Sequence, residues 1–298
     1  MIGTQHKSAT RLRTRKLELD DQAFTRIANI AYKEAGLAIS PSKSAMVHTR
    51  VARRLRKLGI DNYDDYCALV ESPEGLDERR ELVAILTTNV SSFFREDHHF
   101  EKLRSEILPQ LLGKLQNGGR VRIWSAGCSN GQEPYSIAMT ILEELKLESS
   151  HDIKILATDI NSTVVDFARS GIYDAAMLAG LPENRLATFL EKIDHVAEEA
   201  WRIKPEVKSL VSFRKLNLLE PWPMSGKFDV IFCRNVVIYF DLNTQKNLWK
   251  RFSNSLEHNG WLFLGHSERV SDEFLGTLIP AGMTTYRHAL QPGLAEEM

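Results

Sequence analysis

The chain has 298 residues, 43% of them hydrophobic and 26% charged, with a formal net charge of −1. That length supports a large core and two domains. No apolar run approaches the roughly 18 residues of a membrane span, and the first seventeen residues are polar and basic without a signal-peptide core, so a cytoplasmic protein with no membrane insertion is expected. Cys67, Cys128 and Cys233 form no C-x-x-C pair, which argues against a disulfide framework and a zinc site, and no metal is expected. The near-zero charge hides an asymmetry: residues 1–60 hold thirteen Lys and Arg against four Asp and Glu, leaving 25 against 35 for the rest. The two parts should therefore meet different partners.

Residues 1–16 read as a flexible basic tail. Helical periodicity follows over 20–35, 44–58, 62–71 and 76–87, with Pro41 and Ser42 opening the second helix and Gly59 stopping it. This predicts a small N-terminal all-α domain over 17–88. In the second helix Val47, Val51, Leu55 and Leu58 fall on one side, while Arg50, Arg53 and Lys57 share a stripe on another. The stripe reads either as a solvated face or as a dock for an acidic partner.

After residue 120 the pattern changes to short apolar runs alternating with helices. Strands are predicted at 121–125, 153–158, 210–216, 228–233, 261–265 and 284–288, and helices at 134–147, 162–170 and 242–256. Strands alternating with helices give an α/β fold, a Rossmann-like doubly wound parallel sheet over 89–298. The interval 181–205 fits the alternation less well and reads as a small β insertion.

The first strand turns through Gly127 and Gly131 into a helix, and Asp159 ends the second strand. Such a turn lets a ligand approach the backbone at the carboxyl edge of a parallel sheet. The loop lacks the G-x-G-x-x-G spacing of a dinucleotide site, and Glu133 behind it would repel phosphate. It suits a cationic ligand such as S-adenosylmethionine, with Asp159 accepting from a ribose diol. A plain strand-helix turn is the competing reading of the glycines. Cys128 and Cys233 read as small residues packed beside this pocket, with a nucleophilic role as the competing reading.

Five stretches occur together: Thr88-Asn89-Val90-Ser91-Ser92-Phe93-Phe94-Arg95, Gly131-Gln132-Glu133-Pro134-Tyr135, Ala157-Thr158-Asp159-Ile160, Asn217-Leu218-Leu219, and the run from Phe232 through Arg234, Asn235 and Tyr239 to Asp241. With these motifs the chain resembles the CheR family of chemoreceptor methyltransferases, from about residue 17 to 288. The resemblance implies methylation of receptor glutamates by S-adenosylmethionine, giving methyl esters and S-adenosylhomocysteine. It implies that Asn89, Ser91 and Arg95 lie against the cofactor, and that Glu133, Asp159, Asn217, Leu218, Arg234 and Asn235 line its site. Each has a plainer reading: Asp159 as the cap of the helix near Ser162, Asn217 as a turn residue, Phe93 and Phe94 as core.

Arg95 and Tyr239 are expected to orient the acceptor carboxylate, since a planar guanidinium matches two oxygens and a phenol adds a directional bond. The competing readings are an ion pair of Arg95 with Glu96 or Asp97, and a buried Tyr239. The expected partner is the acidic helical cytoplasmic region of a chemoreceptor or related signalling protein, held by Arg50, Arg53 and Lys57; no nucleic-acid partner is expected, and a monomer is the default. Binding of a receptor tether peptide is not predicted, because 191–200 is acidic and lacks glycine. Ser91 stands where the family usually has threonine, and Gln132 where an acid is common. The rivals are a nucleic-acid methyltransferase on the same sheet and a non-catalytic adaptor that retains cofactor binding.

Overall fold

The structure is a computed structural model that describes residues 17–87, 89–145, 151–193 and 199–289. The expected tail over 1–16, Thr88 of the first motif and the acidic centre of the insertion at 194–198 lie outside the described residues. The chain divides into two units, one containing the residues up to Glu34 with Ile39–Leu86, the other Ala35–Ala38 with the chain from Thr87 onward.

The first unit is helical: α1 Asp21–Ala35, whose last residue falls in the second unit, α2 Ser44–Leu58, α3 Tyr63–Glu71 and α4 Leu76–Leu86. Their ends follow local chemistry. The Asp20 carboxylate accepts from the Ala23 amide at 2.8 Å, and Asn62 caps α3 by accepting from the Asp65 amide at 2.8 Å. Gly59 takes φ +70° and lets the Ile60 amide reach back to the Leu55 carbonyl at 3.0 Å, closing α2. Val47, Val51 and Leu55 are fully buried, but Leu58, expected on the same face, is 39% exposed in the last turn. A buried carboxylate, Glu78, is held by the Tyr66 hydroxyl at 2.9 Å and by Arg54 at 2.6 Å, so its charge is paired as burial requires.

The second unit begins with α5 His98–Lys102, a π-helical turn at Leu103–Ile107 and α6 Leu108–Gln116. Then follow β1 Arg120–Ala126, α7 Gln132–Glu144, β2 Asp152–Asp159, α8 Ser162–Ser170, β3 Ile172–Asp174, α9 Glu183–Phe189, β4 Leu190–Ile193, β5 Ala200–Ile203, α10 Pro205–Lys208, β6 Val211–Lys215, β7 Phe228–Cys233, α11 Leu242–Ser255, β8 Leu256–Leu264, β9 Leu278–Gly282 and β10 Thr285–His288. Seven strands form one sheet in the order β6-β2-β1-β7-β8-β10-β9. The first five run parallel, and β10 pairs antiparallel with both β8 and β9. The expected α/β doubly wound sheet is present. β7 is buried along its whole length, as a strand covered on both faces must be; its one charged residue, Asp229, is paired with Lys114 at 2.6 Å.

Three features depart from the sequence expectation. The helical stretch from His98 to Gln116 was not predicted; its periodicity is broken by the π turn ahead of Pro109. β9 contains Pro280 and lies at the edge of the sheet, where proline is tolerated but the strand signal is weak. The small antiparallel sheet β3-β5-β4 starts at Ile172, ahead of the predicted insertion, because its first strand is only three residues long.

Candidate functional site

The strand order turns back on itself at β1, which has β2 and then β6 on one side and β7 on the other. Loops leaving the carboxyl ends of neighbouring parallel strands diverge at such a point and leave a crevice. Here the crevice is a cavity of about 920 Å³, counting its open mouth. Its walls come from the loops after β1, β2, β6 and β7, from residues 89–95, and from Ala35 and Leu37. Asn89, Ser91, Arg95, Glu133, Asp159, Asn217, Leu218, Arg234, Asn235 and Tyr239 all line it.

The loop after β1 folds back because Gly127 and Gly131 adopt φ +90° and +88°. A Cβ on Gly127 would lie 2.3 Å from Val236 Cγ2, so the glycine also permits close approach of the loop after β7. The amides of Gly127 and Cys128 both donate to the Thr158 carbonyl at 2.8 Å, tying the loop to the end of β2. Asp159 Oδ2 then accepts from the Ser129 amide at 2.9 Å and Oδ1 from the Asn161 amide at 3.0 Å. The helix cap is Asn161, which accepts from the Thr163 amide at 2.9 Å, so the carboxylate of Asp159 is not used to cap α8. Burial pushes its pKa up, and the backbone amides oppose this.

Glu133 stands in the first turn of α7, where a helix terminus favours negative charge. Its Oε1 accepts from Ser125 Oγ at 2.7 Å and its Oε2 pairs with Arg234 at 3.1 Å. Burial raises its pKa, and Arg234 and Ser125 pull it back down. Arg234 is 2% exposed; besides Glu133 it pairs with Glu96 at 3.4 Å and donates to the Arg95 carbonyl. Burial also pushes Glu96 up, but Arg234 and His266 outweigh it and leave its carboxyl below the ordinary value. Asn235, at φ +58°, donates its side-chain amide to Glu96 at 3.4 Å.

Arg95 donates to the Val90 carbonyl at 2.8 Å and forms no ion pair among the described residues, so neither Glu96 nor Asp97 claims it. Tyr239 is half-buried on the cavity wall, and its backbone carbonyl accepts from the Ala38 amide at 2.8 Å. Asn217 does serve a turn, accepting from the Leu219 amide at 3.0 Å, while still facing the cavity. Leu218 is buried beside it. Phe93 and Phe94 are core, as their plainer reading held.

Two supports had no motif to reveal them. Glu96 links Arg234, Asn235 and His266. Glu268 accepts from the amides of Gly265 at 2.6 Å, Asn235 at 2.8 Å and Ile238 at 3.2 Å, fixing the loop that carries Arg234 to Tyr239. Cys128 and Cys233 are buried, and burial pushes both thiols well above their ordinary range, so neither is a thiolate at neutral pH. Glu96, His98 and His99 bring three ligand-type atoms within 4.8 Å of one another. Arg234, 3.4 Å from the Glu96 carboxylate, already provides the cation there and would repel a metal ion.

On α2, Arg53 and Lys57 are exposed, whereas Arg50 is half-buried and donates to the carbonyls of Ile85 and Leu86 at 3.1 and 3.0 Å.

The cavity's donors and acceptors fit S-adenosylmethionine: a carboxylate at the end of β2 with lone pairs left for a ribose diol, a second on α7 for an ammonium group, and Asn217 with Leu218 for an adenine edge and face. Residues 89–286 match the family described as CheR methyltransferase, SAM binding domain, and residues 22–87 match its all-alpha domain. The chain is 45% identical over 257 residues to a probable chemotaxis protein methyltransferase of Rhizobium etli, covering 86% of this chain and 96% of that protein. It is 37% identical to the chemotaxis protein methyltransferase of Borreliella burgdorferi, covering 89% and 94%, and 39% identical to that of Escherichia coli, covering 87% and 88%. The chain therefore belongs to the CheR methyltransferase family.

Proposed function

We propose that this S-adenosylmethionine-dependent methyltransferase esterifies glutamate side chains in the acidic helical cytoplasmic region of chemoreceptors, as part of chemotactic adaptation. The observation that carries the reading is the convergence of Glu133, Asp159, Asn217 and Arg234 with Arg95 and Tyr239 in one cavity at the strand-order reversal. No described helix is long and apolar enough to cross a membrane. The nucleic-acid and adaptor readings are not favoured by the chemotaxis methyltransferase relatives.

Bound S-adenosylmethionine supplies a methyl group on a sulfonium, which passes to a carboxylate oxygen as the carbon–sulfur bond breaks and S-adenosylhomocysteine is left. An ordinary glutamate, with a pKa of about 4.3, is ionised at neutral pH and needs no general base. The protein's task is alignment and exclusion of water, effects that together supply roughly 7–11 kcal/mol in favourable cases. Asp159 accepts from the ribose hydroxyls and Glu133 faces the ammonium group. Arg95 receives the acceptor carboxylate, because its guanidinium is engaged only by the Val90 carbonyl among the described residues. Tyr239 adds a directional hydrogen bond. Arg53 and Lys57 supply the exposed charge of the receptor dock, with Arg50 bound to backbone carbonyls beside them. Removing one negative charge per ester lowers repulsion between packed acidic helices and biases the receptor's signalling equilibrium.

The test is incubation with radiolabelled methyl donor and membranes bearing receptors from the same cell. Label on the receptor that is released by mild alkali supports the ester; alkali-stable label, or none, overturns the reading.

A further inference from the structure

Arg95 sits between two residues with left-handed backbone, Phe94 at φ +52° and Glu96 at φ +57°. Such conformations are uncommon outside glycine and persist only where surrounding contacts hold them. Glu96 is held by Arg234, Asn235 and His266. Phe94 is held by three different groups. Its amide donates to Ser136 Oγ at 3.0 Å, and its ring meets Phe100 edge-on at 5.1 Å. The third is Arg185 of α9, whose guanidinium carbon lies 3.8 Å from the centre of the Phe94 ring.

Arg185 is itself fixed. Glu143, near the end of α7, receives its Nε at 2.7 Å and its Nη2 at 2.9 Å, a two-point pairing that sets the plane of the guanidinium. Its side chain is 15% exposed, so the stacked face is largely shielded from water, where a cation over an aromatic ring counts for more. Arg104 shares Glu143 at 3.1 Å and also reaches Glu101 and Glu144, but it has no stacking contact with Phe94.

We infer that Arg185 is a positioning residue for the carboxyl methyl transfer proposed above, on which this inference rests: by clamping the Phe94 ring it fixes the residue that carries Arg95 into the cavity. α9 lies between β3 and β4 of the small sheet, so the clamp also makes the geometry at Arg95 depend on the placement of that sheet. A purely architectural Arg185 would only join α9 to α7 through Glu143, as Arg104 joins the π-helical turn to α7 through the same carboxylate.

The experiment compares R185M, R185K and R104M in the full-length protein. It measures amide hydrogen exchange across residues 89–96, S-adenosylhomocysteine affinity, and kcat and KM with receptor membranes. R185M is expected to speed exchange at the Phe94 amide by about tenfold and lower kcat by a similar factor, with the S-adenosylhomocysteine Kd changed by less than about threefold. R104M is expected to leave exchange and kcat at wild-type values. R185K keeps a cation for Glu143 without a planar face, so it should retain the wild-type melting temperature yet still show faster exchange, which covers the case of an unfolded R185M. Wild-type exchange over residues 89–96 in R185K, or equal acceleration in R104M, overturns the inference. Should the wild-type protein form no ester, the proposed reaction falls while the exchange comparison still decides the clamp.

Discussion

Asp159→Asn separates the ribose-binding role proposed for this carboxylate from its place in the loop structure. A carboxylate offers about four acceptor directions, and Asp159 gives one on each oxygen to the amides of Ser129 and Asn161. The Ile160 amide also acts on this carboxylate, so about one or two acceptor directions remain for a vicinal diol. The asparagine amide keeps one oxygen, and its NH2 group must face a backbone N–H, whichever way it is turned. Hydrogen bonds to charged groups are worth about 1.5–3 kcal/mol, so loss of one diol contact should weaken S-adenosylhomocysteine binding by about 2 kcal/mol, or roughly 30-fold. The donor left facing a donor should cost about 1–3 kcal/mol of stability, partly offset by removal of a buried charge. Calorimetric titration with S-adenosylhomocysteine, alongside urea denaturation of both proteins, measures the two effects separately. A folded variant that binds within about threefold of wild type would refute the assignment of Asp159 to the diol.

Glu268→Ala removes the acceptor of three backbone amides and should destabilise the protein by about 3 kcal/mol or more while weakening S-adenosylhomocysteine binding, both read by denaturation and titration; retention of wild-type stability would show that the loop after β7 is fixed by other contacts. Burial, with Arg234 and His98 adding to it, depresses the His99 pKa from 6.5 to about 3, so the folded protein leaves this ring neutral where the unfolded chain protonates it. Its contribution to stability should be intact above pH about 6.5 and fall by about 1.4 kcal/mol per unit as pH drops toward 3, a slope that His99→Gln should flatten in urea titrations across that range. Charge reversal at Arg53 and Lys57 should raise the KM for receptor and leave S-adenosylhomocysteine affinity unchanged, and unaltered receptor methylation would remove the dock. Arg95→Ala and Tyr239→Phe should each lower methyl transfer, Arg95→Ala by about 100-fold and Tyr239→Phe by about tenfold, and wild-type turnover would exclude either from orienting the acceptor.

Much of the fold was legible because its signals are local. The period of Val47, Val51 and Leu55, the stop at Gly59, and the continuous apolar run of β7 each reflect burial by neighbouring elements in a regular pattern. Asp159 and Glu133 were legible for a different reason: a carboxylate at a strand end and another just past a glycine turn converge once the strands are parallel. Glu268 and Arg185 were not legible. Each acts across a gap in sequence, Glu268 on Asn235 and Arg185 on Phe94, and only the folded chain reveals that spacing. Leu58 misled because a matching period does not guarantee that the core extends to the helix end. The split between Arg50 and its neighbours was hidden too, since a stripe of like residues does not reveal which one meets the carbonyls at the end of α4.

Arg95 and Arg234 look alike in sequence, yet their surroundings differ, and the proposed reaction gives them opposite tasks. Arg234 is almost wholly buried among Glu133, Glu96 and the Arg95 carbonyl, so its charge is matched before any acceptor arrives. Without that match, two carboxylates near the cavity would repel an incoming glutamate in a medium less polar than water, where repulsion is not screened as it is at an open surface. In the proposed reaction, neutralising them inside the protein leaves the site open to an anionic acceptor. Arg95 is more exposed and has a single carbonyl partner among the described residues, which leaves most of its fork free for an arriving anion. The two are also tied together: the carbonyl of Arg95 accepts from Arg234, so the residue proposed to meet the acceptor is anchored by the residue that matches the buried carboxylates.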